Sequence, residues 1–246
     1  MFTNAHVVSN SYLPFFLSGH LMSLMLSVII MMNKGVMFLF FMNLIFILYI
    51  LLLWLKDVIM EGSSGFHNFL VDGGFSKGFM IFIMTEVMFF SSIFWVLYNK
   101  FILENVLWEV GDMVFGMSLP MINTFLLLFS GVASTWAHSK SVNKDSFEFL
   151  LSLVICLGVV FLFIQYYEYK NLFFNMSDGA AGSLFYFLTG FHGFHVVAGV
   201  VLLGLSFWRV SNYNNSMVTN FFLDSSVIYW HFVDVIWLLL FLLIYL

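Results

Sequence analysis

Five side chains in the 246-residue sequence can hold a proton or a metal ion while standing in otherwise apolar surroundings: Glu86, His192, His195, His231 and Asp234. Glu86 lies in FIMTEVMFF (82–90), and on a helix its neighbours three and four residues away are Phe82, Ile83, Phe89 and Phe90. It follows Lys77 by nine residues, roughly 14 Å along a helix, which places it near mid-membrane if this segment spans. Dry aromatic surroundings disfavour a charge and favour the neutral acid. Two roles stay open for it: a carboxylic acid hydrogen-bonded to another helix, or a group engaged in proton traffic or ligand binding.

His192 and His195, in TGFHGFHV, are three apart and lean toward one side of a helix, a stripe extended by Thr189 and Gly199. Such a pair could bind a metal or haem. Against that, a haem held in a bundle normally takes ligands from two helices, and small residues beside the histidines more simply mark close helix packing. His231 and Asp234, in YWHFVDVIW, repeat the three-residue spacing. A carboxylate there can set the imidazole's tautomer or charge, and the simpler reading is an interfacial ion pair that fixes the depth of the helix. Glu168 and Asp178 read as boundary groups. No GxSxG, phosphate loop, HExxH or CxxC is present, so nothing points to catalysis by this chain alone. The single cysteine, Cys156, excludes an intrachain disulfide and a cysteine-rich metal site.

The elements that position these groups follow from composition. The chain is 62% hydrophobic and 9% charged, where a soluble domain carries about 25% charged residues. Polar surface is too scarce to cover a soluble core. Runs such as VMFLFFMNLIFILYILLLWL (36–55) meet the requirement of about 20 apolar residues per crossing, and without sustained alternation they read as helices. Spans are expected at about 12–33, 36–55, 78–99, 119–138, 147–169, 183–208 and 225–246, with the longest loops at 56–77 and 100–117. No repeat or linker divides them, so a single membrane unit is expected. Lys56, Lys77, Lys140, Lys144 and Arg209 fall on one side of the membrane and Lys34, Lys100 and Lys170 on the other, which favours an N-terminus on the positive, synthesis side. Trp54, Trp95, Trp136, Trp208 and Trp230 fall near span ends, as interfacial anchors would. A net charge of −5 leaves no basic stripe for nucleic acid. The first residues lack the marks of a cleaved secretory signal, so the chain is expected to be kept as made. Phe (34) and Met (16) are abundant while Pro (2) is rare and Gln165 is the only glutamine; residues with C-rich codons are the missing ones, as in small organelle genomes.

Five stretches, in order, resemble the haem–copper oxidase subunit III family: WLKDVIMEG (54–62), GFMIFIMTEVMFFSSIFW (78–95), SGVASTWAH (130–138), MSDGAAGSLFYFLTGFHGFHVVAG (176–199) and YWHFVDVIWLLLFLLIYL (229–246). The match covers most of residues 50–246. The resemblance implies an all-α integral membrane protein of seven transmembrane helices, the first two (1–56) and the last five (78–246) forming bundles separated by a lipid-filled V-shaped cleft, with a matrix-side loop at 57–77. It implies no haem or copper in this chain; haem A and copper would sit in partner subunits. Subunit 1 would be the main contact, with other oxidase subunits and phospholipids beside it, and cytochrome c met only through the complex. The implied role is support of assembly, proton uptake and sustained turnover, along a lipid-filled route suggested for dioxygen. The implied place is the mitochondrial inner membrane, with the N-terminus in the matrix and the C-terminus in the intermembrane space.

By position, Glu86 matches the family's buried glutamate, and Glu61, His67, Trp95 and Arg209 match or nearly match lipid-contacting positions. His192, His195, His231 and Asp234 fall on motif positions with no catalytic role implied. Met60, Ser139 and Asn212 depart from the family, Met60 and Asn212 standing where a cationic contact to a lipid phosphate is common. Each such loss removes on the order of 1 kcal/mol of attraction to anionic lipid. Quinol-oxidase forms of subunit III lack the first two helices, which this chain has. An autonomous transporter would show discontinuous spans or repeated halves, and neither is visible. A haem-binding membrane cytochrome is a further alternative, with the histidine stripe as its ligands.

Overall fold

Each apolar run becomes a helix in the computed structural model, which describes residues 10–65, 69–104, 118–143, 146–212 and 220–245. In chain order these are α1 (Leu13–Lys34), α2 (Phe38–Ser63), α3 (Phe69–Glu104), α4 (Ser118–Val142), α5 (Glu148–Asn171), α6 (Gly179–Asn212) and α7 (Asn220–Ile244). All seven are long and apolar enough to cross a membrane, and no strand occurs among the described residues. The expected all-α, seven-span architecture is therefore present.

Helix ends differ from the hydropathy boundaries most around residues 56–77. The segment read as a loop is largely helical: α2 continues through Lys56, Asp57 and Glu61 to Ser63, and α3 is already formed at Phe69. Lys and Glu are good helix formers, so charge marks where the apolar run stops without stopping the backbone. What ends α2 is local. The Ser64 N–H returns to the Met60 carbonyl, and Gly65 takes a left-handed φ of 82° that a side chain would resist. Gly35 (φ 69°) closes α1 in the same way, its N–H bonding the Met31 carbonyl at 2.9 Å.

The chain divides into two compact units, Met1–Phe75 and Ser76–Leu246. In the first, α1 packs on α2 across a three-residue connection. Ser23 Oγ donates to Asn43 Oδ1 at 2.6 Å, and the His20 and Phe46 rings stack 5.2 Å apart. In the second, α4 packs against α5 and α7, and α6 against the same two, so four helices close a ring. Helix α3 joins that ring through aromatic contacts, Phe89 with Phe191 at 4.7 Å and Phe90 with Phe232 at 6.1 Å.

The ring is tight because glycines admit a tryptophan. A Cβ on Gly158 would lie 2.6 Å from Trp230 Cη2, and one on Gly199 would lie 2.8 Å from Trp230 Cε3. Trp230, expected at the interface, is instead wholly buried, with its Nε1–H donating to Ser130 Oγ at 2.9 Å. Trp95, Trp136 and Trp208 are exposed. Lipid tails are as apolar as the side chains, so helix association here rests on close packing of this kind more than on a hydrophobic drive.

Gly158→Ala forces Trp230 or Val200 to move and is expected to cost about 1–3 kcal/mol, read as a lower thermal midpoint for retention of the subunit in detergent. Gly193→Ala, which meets nothing within 4 Å, should leave that midpoint unchanged or raise it.

Candidate functional site

Helix α3 carries Glu86 at the middle of its 71–100 span, and a residue 109 positions away meets it. Glu86 Oε2 lies 3.0 Å from Nε2 of His195 on α6; the histidine side chain is 7% exposed and the glutamate 23%. Nδ1 of His195 lies 2.9 Å from the Phe191 carbonyl, one turn earlier on the same helix. A carbonyl only accepts, so Nδ1 must carry a proton and donate it. Two arrangements then remain across the 3.0 Å contact. Either Glu86 is the acid and donates to the Nε2 lone pair, or Nε2–H of an imidazolium donates to the carboxylate. Both are electrically neutral as a pair, and they differ only in the position of one proton. The sequence left the partner of Glu86 on another helix unnamed, and the fold supplies it from the histidine stripe.

Aromatic rings surround the pair on three helices. Phe90 and Phe191 pack edge-on against the His195 ring at 5.1 and 4.6 Å, Tyr229 stacks on it at 6.3 Å, and Phe232 lies at 6.3 Å. Such surroundings lower the local dielectric and strengthen the hydrogen bond.

His192 and His195, three residues apart, engage different helices. His192 is 1% exposed between Phe161 of α5 and Trp237 of α7, at 5.8 and 5.1 Å, with neither ring nitrogen bonded among the described residues. The two rings do not converge on one ligand. Among the described residues no three His, Cys, Asp or Glu side chains group as a metal set. His231 and Asp234 likewise do not form the ion pair expected from their spacing. His231 Nε2 faces Ser134 Oγ at 3.4 Å, and Asp234 lies against Gly131 of α4, where a Cβ would approach its Oδ2 to 2.5 Å. Both residues face α4.

Of the expected lipid-contacting residues, Trp95 is 67% exposed. Arg209 is partly buried, with its guanidinium 5.3 Å from the Phe222 ring. Glu61 is partly buried near the end of α2, and His67 lies outside the described residues.

Two polar contacts escaped the sequence reading. His138 Nε2 meets Asp224 Oδ1 at 3.0 Å where α4 ends and α7 begins. Glu168, read as a boundary group, is 3% exposed and accepts a hydrogen bond from Tyr245 at 2.8 Å. The first joins the end of α4 to the start of α7 and the second joins the ends of α5 and α7, pairings that only the packing of the helices sets, so sequence spacing held no signal for either.

Glu86→Leu and His195→Phe each strand a polar partner and are expected to destabilise by about 1–3 kcal/mol. The double variant should cost less than the sum, a coupling that thermal midpoints in a double-mutant cycle would measure.

The whole sequence can be set beside known proteins. Residues 3–246 match the family described as cytochrome c oxidase subunit III. Cytochrome c oxidase subunit 3 of Yarrowia lipolytica is 37% identical over 255 residues, covering 98% of this chain and 94% of that protein. The subunit 3 of Rhipicephalus sanguineus is 36% identical over 256 residues, with 100% and 99% covered, and that of Chondrus crispus 35% over 253 residues, with 98% and 92% covered. With matches that run the length of the chain, and with seven helices of membrane-crossing length, this protein belongs to the cytochrome c oxidase subunit III family.

Proposed function

We propose that the chain is a non-redox core subunit of cytochrome c oxidase, which supports assembly, proton uptake and sustained turnover while electrons pass from cytochrome c to dioxygen in partner subunits. The family match over residues 3–246 carries this reading. The interior chemistry supports it: the buried histidines engage different helices, and the mid-span acid Glu86 is paired with an imidazole. That is a pattern for joining helices and for holding a proton. Subunit 1 is the main partner in this reading, and the membrane is the mitochondrial inner membrane.

Orientation follows from charge. With the N-terminus in the matrix, the side holding Lys56, Lys77, Lys140, Lys144 and Arg209 is the matrix side, and the His138–Asp224 contact lies at that end of the helices. Phospholipid is proposed at Glu61, His67, Trp95 and Arg209. The exposed indole of Trp95 and the cation of Arg209 suit an acyl chain and a phosphate respectively.

Affinity purification of the tagged chain from its native membrane should bring down a partner containing haem A and copper. A Soret band in the isolated chain would overturn the non-redox assignment. Glu86→Gln keeps a donor facing Nε2 of His195, so haem content and initial turnover of the complex should be close to wild type; complete loss of oxygen reduction would show that the carboxylate charge is needed.

A further inference from the structure

Six side chains in the α4–α7 ring, among them Asp234, carry a buried polar atom with no hydrogen-bond partner among the described residues, and three of the six belong to one group. Asn123 on α4 is 0% exposed, and Gln165 and Glu168 on α5 are 4% and 3%. Asn123 Nδ2 donates to Gln165 Oε1 at 3.3 Å, and the Tyr245 hydroxyl donates to Glu168 Oε1 at 2.8 Å. Asn123 Oδ1, Gln165 Nε2 and Glu168 Oε2 then have no hydrogen-bond partner among the described residues. Exchanging the oxygen and nitrogen of both amides leaves the same balance, one unmatched donor and one unmatched acceptor beside the carboxyl group.

A second set lies further along the same core. The Tyr169 hydroxyl donates to Thr189 Oγ1 at 2.8 Å, and three residues on from Thr189, about 4.5 Å along α6, is His192. Both ring nitrogens of His192 and Nε1 of Trp237 are buried and unmatched, with the two rings 5.1 Å apart. A neutral imidazole has one donor and one acceptor, and an indole has one donor.

Buried polar atoms in native proteins are matched by protein or by ordered water. The chemistry of the unmatched atoms decides which species fits. A bare alkali cation would require oxygens alone and would meet an N–H at both sets. A water molecule both donates and accepts, and it needs two to four polar partners, which each set provides. We propose that the core of the α4–α7 ring holds ordered water at two positions, one bridging Asn123, Gln165 and Glu168 and one beside His192 and Trp237. Water at the first position gives the buried Glu168 carboxyl group a hydrogen-bonded neighbour able to exchange its proton.

A cryo-EM map of the assembled oxidase at a resolution that reveals ordered water tests this. Prepared free of alkali cations, the complex should show density within hydrogen-bonding distance of the Gln165 carboxamide and Glu168 Oε2, and a second peak at a His192 nitrogen. Glu168→Gln should retain the first peak, and Gln165→Met combined with Glu168→Met should lose it. The proposal is overturned if the wild-type map shows these atoms paired directly with one another and no density between them, or density that forms only when sodium is supplied.

Discussion

A polar atom inside hydrocarbon has no bulk water to bond, and the arrangement of these helices follows from that constraint. Hydroxyl groups meet it locally. Ser130, Ser134, Ser206 and Ser226 each donate to the carbonyl three residues earlier, so they ride inside a helix without needing another. Carboxyl, imidazole and indole groups reach further, and several are matched across helices. The contacts Glu86–His195, Trp230–Ser130, Tyr169–Thr189 and Tyr245–Glu168 join α3 to α6, α7 to α4, α5 to α6 and α7 to α5. Each contact fixes rotation and depth of a helix that dispersion alone would leave free to slide.

Packing and polarity act at the same places. Gly158 and Gly199 let the Trp230 ring lie between α5 and α6, and that placement brings its N–H to Ser130 on α4. Gly131 leaves room for the Asp234 carboxylate one position along from the same serine. A bulkier residue at any of these glycines would separate the helices and strand a polar group. Around Glu86 and His195 the partners are aromatic, which excludes water while offering ring edges and faces that tolerate a nearby charge.

Much of the fold was legible in order of residues alone, because a membrane span must be long, apolar and helical whatever its neighbours do. The ends were less so. Hydropathy reports where the lipid stops, whereas a helix stops where backbone hydrogen bonds do, which is why α2 runs on past Lys56 to Ser63. Trp230 shows the same limit: an indole near the start of a span reads as an interfacial anchor until a glycine slot on a neighbouring helix claims it.

The candidate site divides along similar lines. That Glu86 is costly, mid-span and in need of a partner was determined by sequence, since the expense of a carboxyl group among phenylalanines depends only on its own helix. So were the number of spans and the family motifs. Which group answers Glu86 was decided by tertiary structure, because its partner is 109 residues distant and helical periodicity describes a face without naming what lies opposite. Two residues three apart on a helix differ by about 60° in direction. That angle is small enough to suggest a shared ligand and large enough to send His192 toward α5 and α7 while His195 turns to α3. It likewise lets His231 and Asp234 spend themselves on α4 and not on each other, a choice that only the packing of four helices could make.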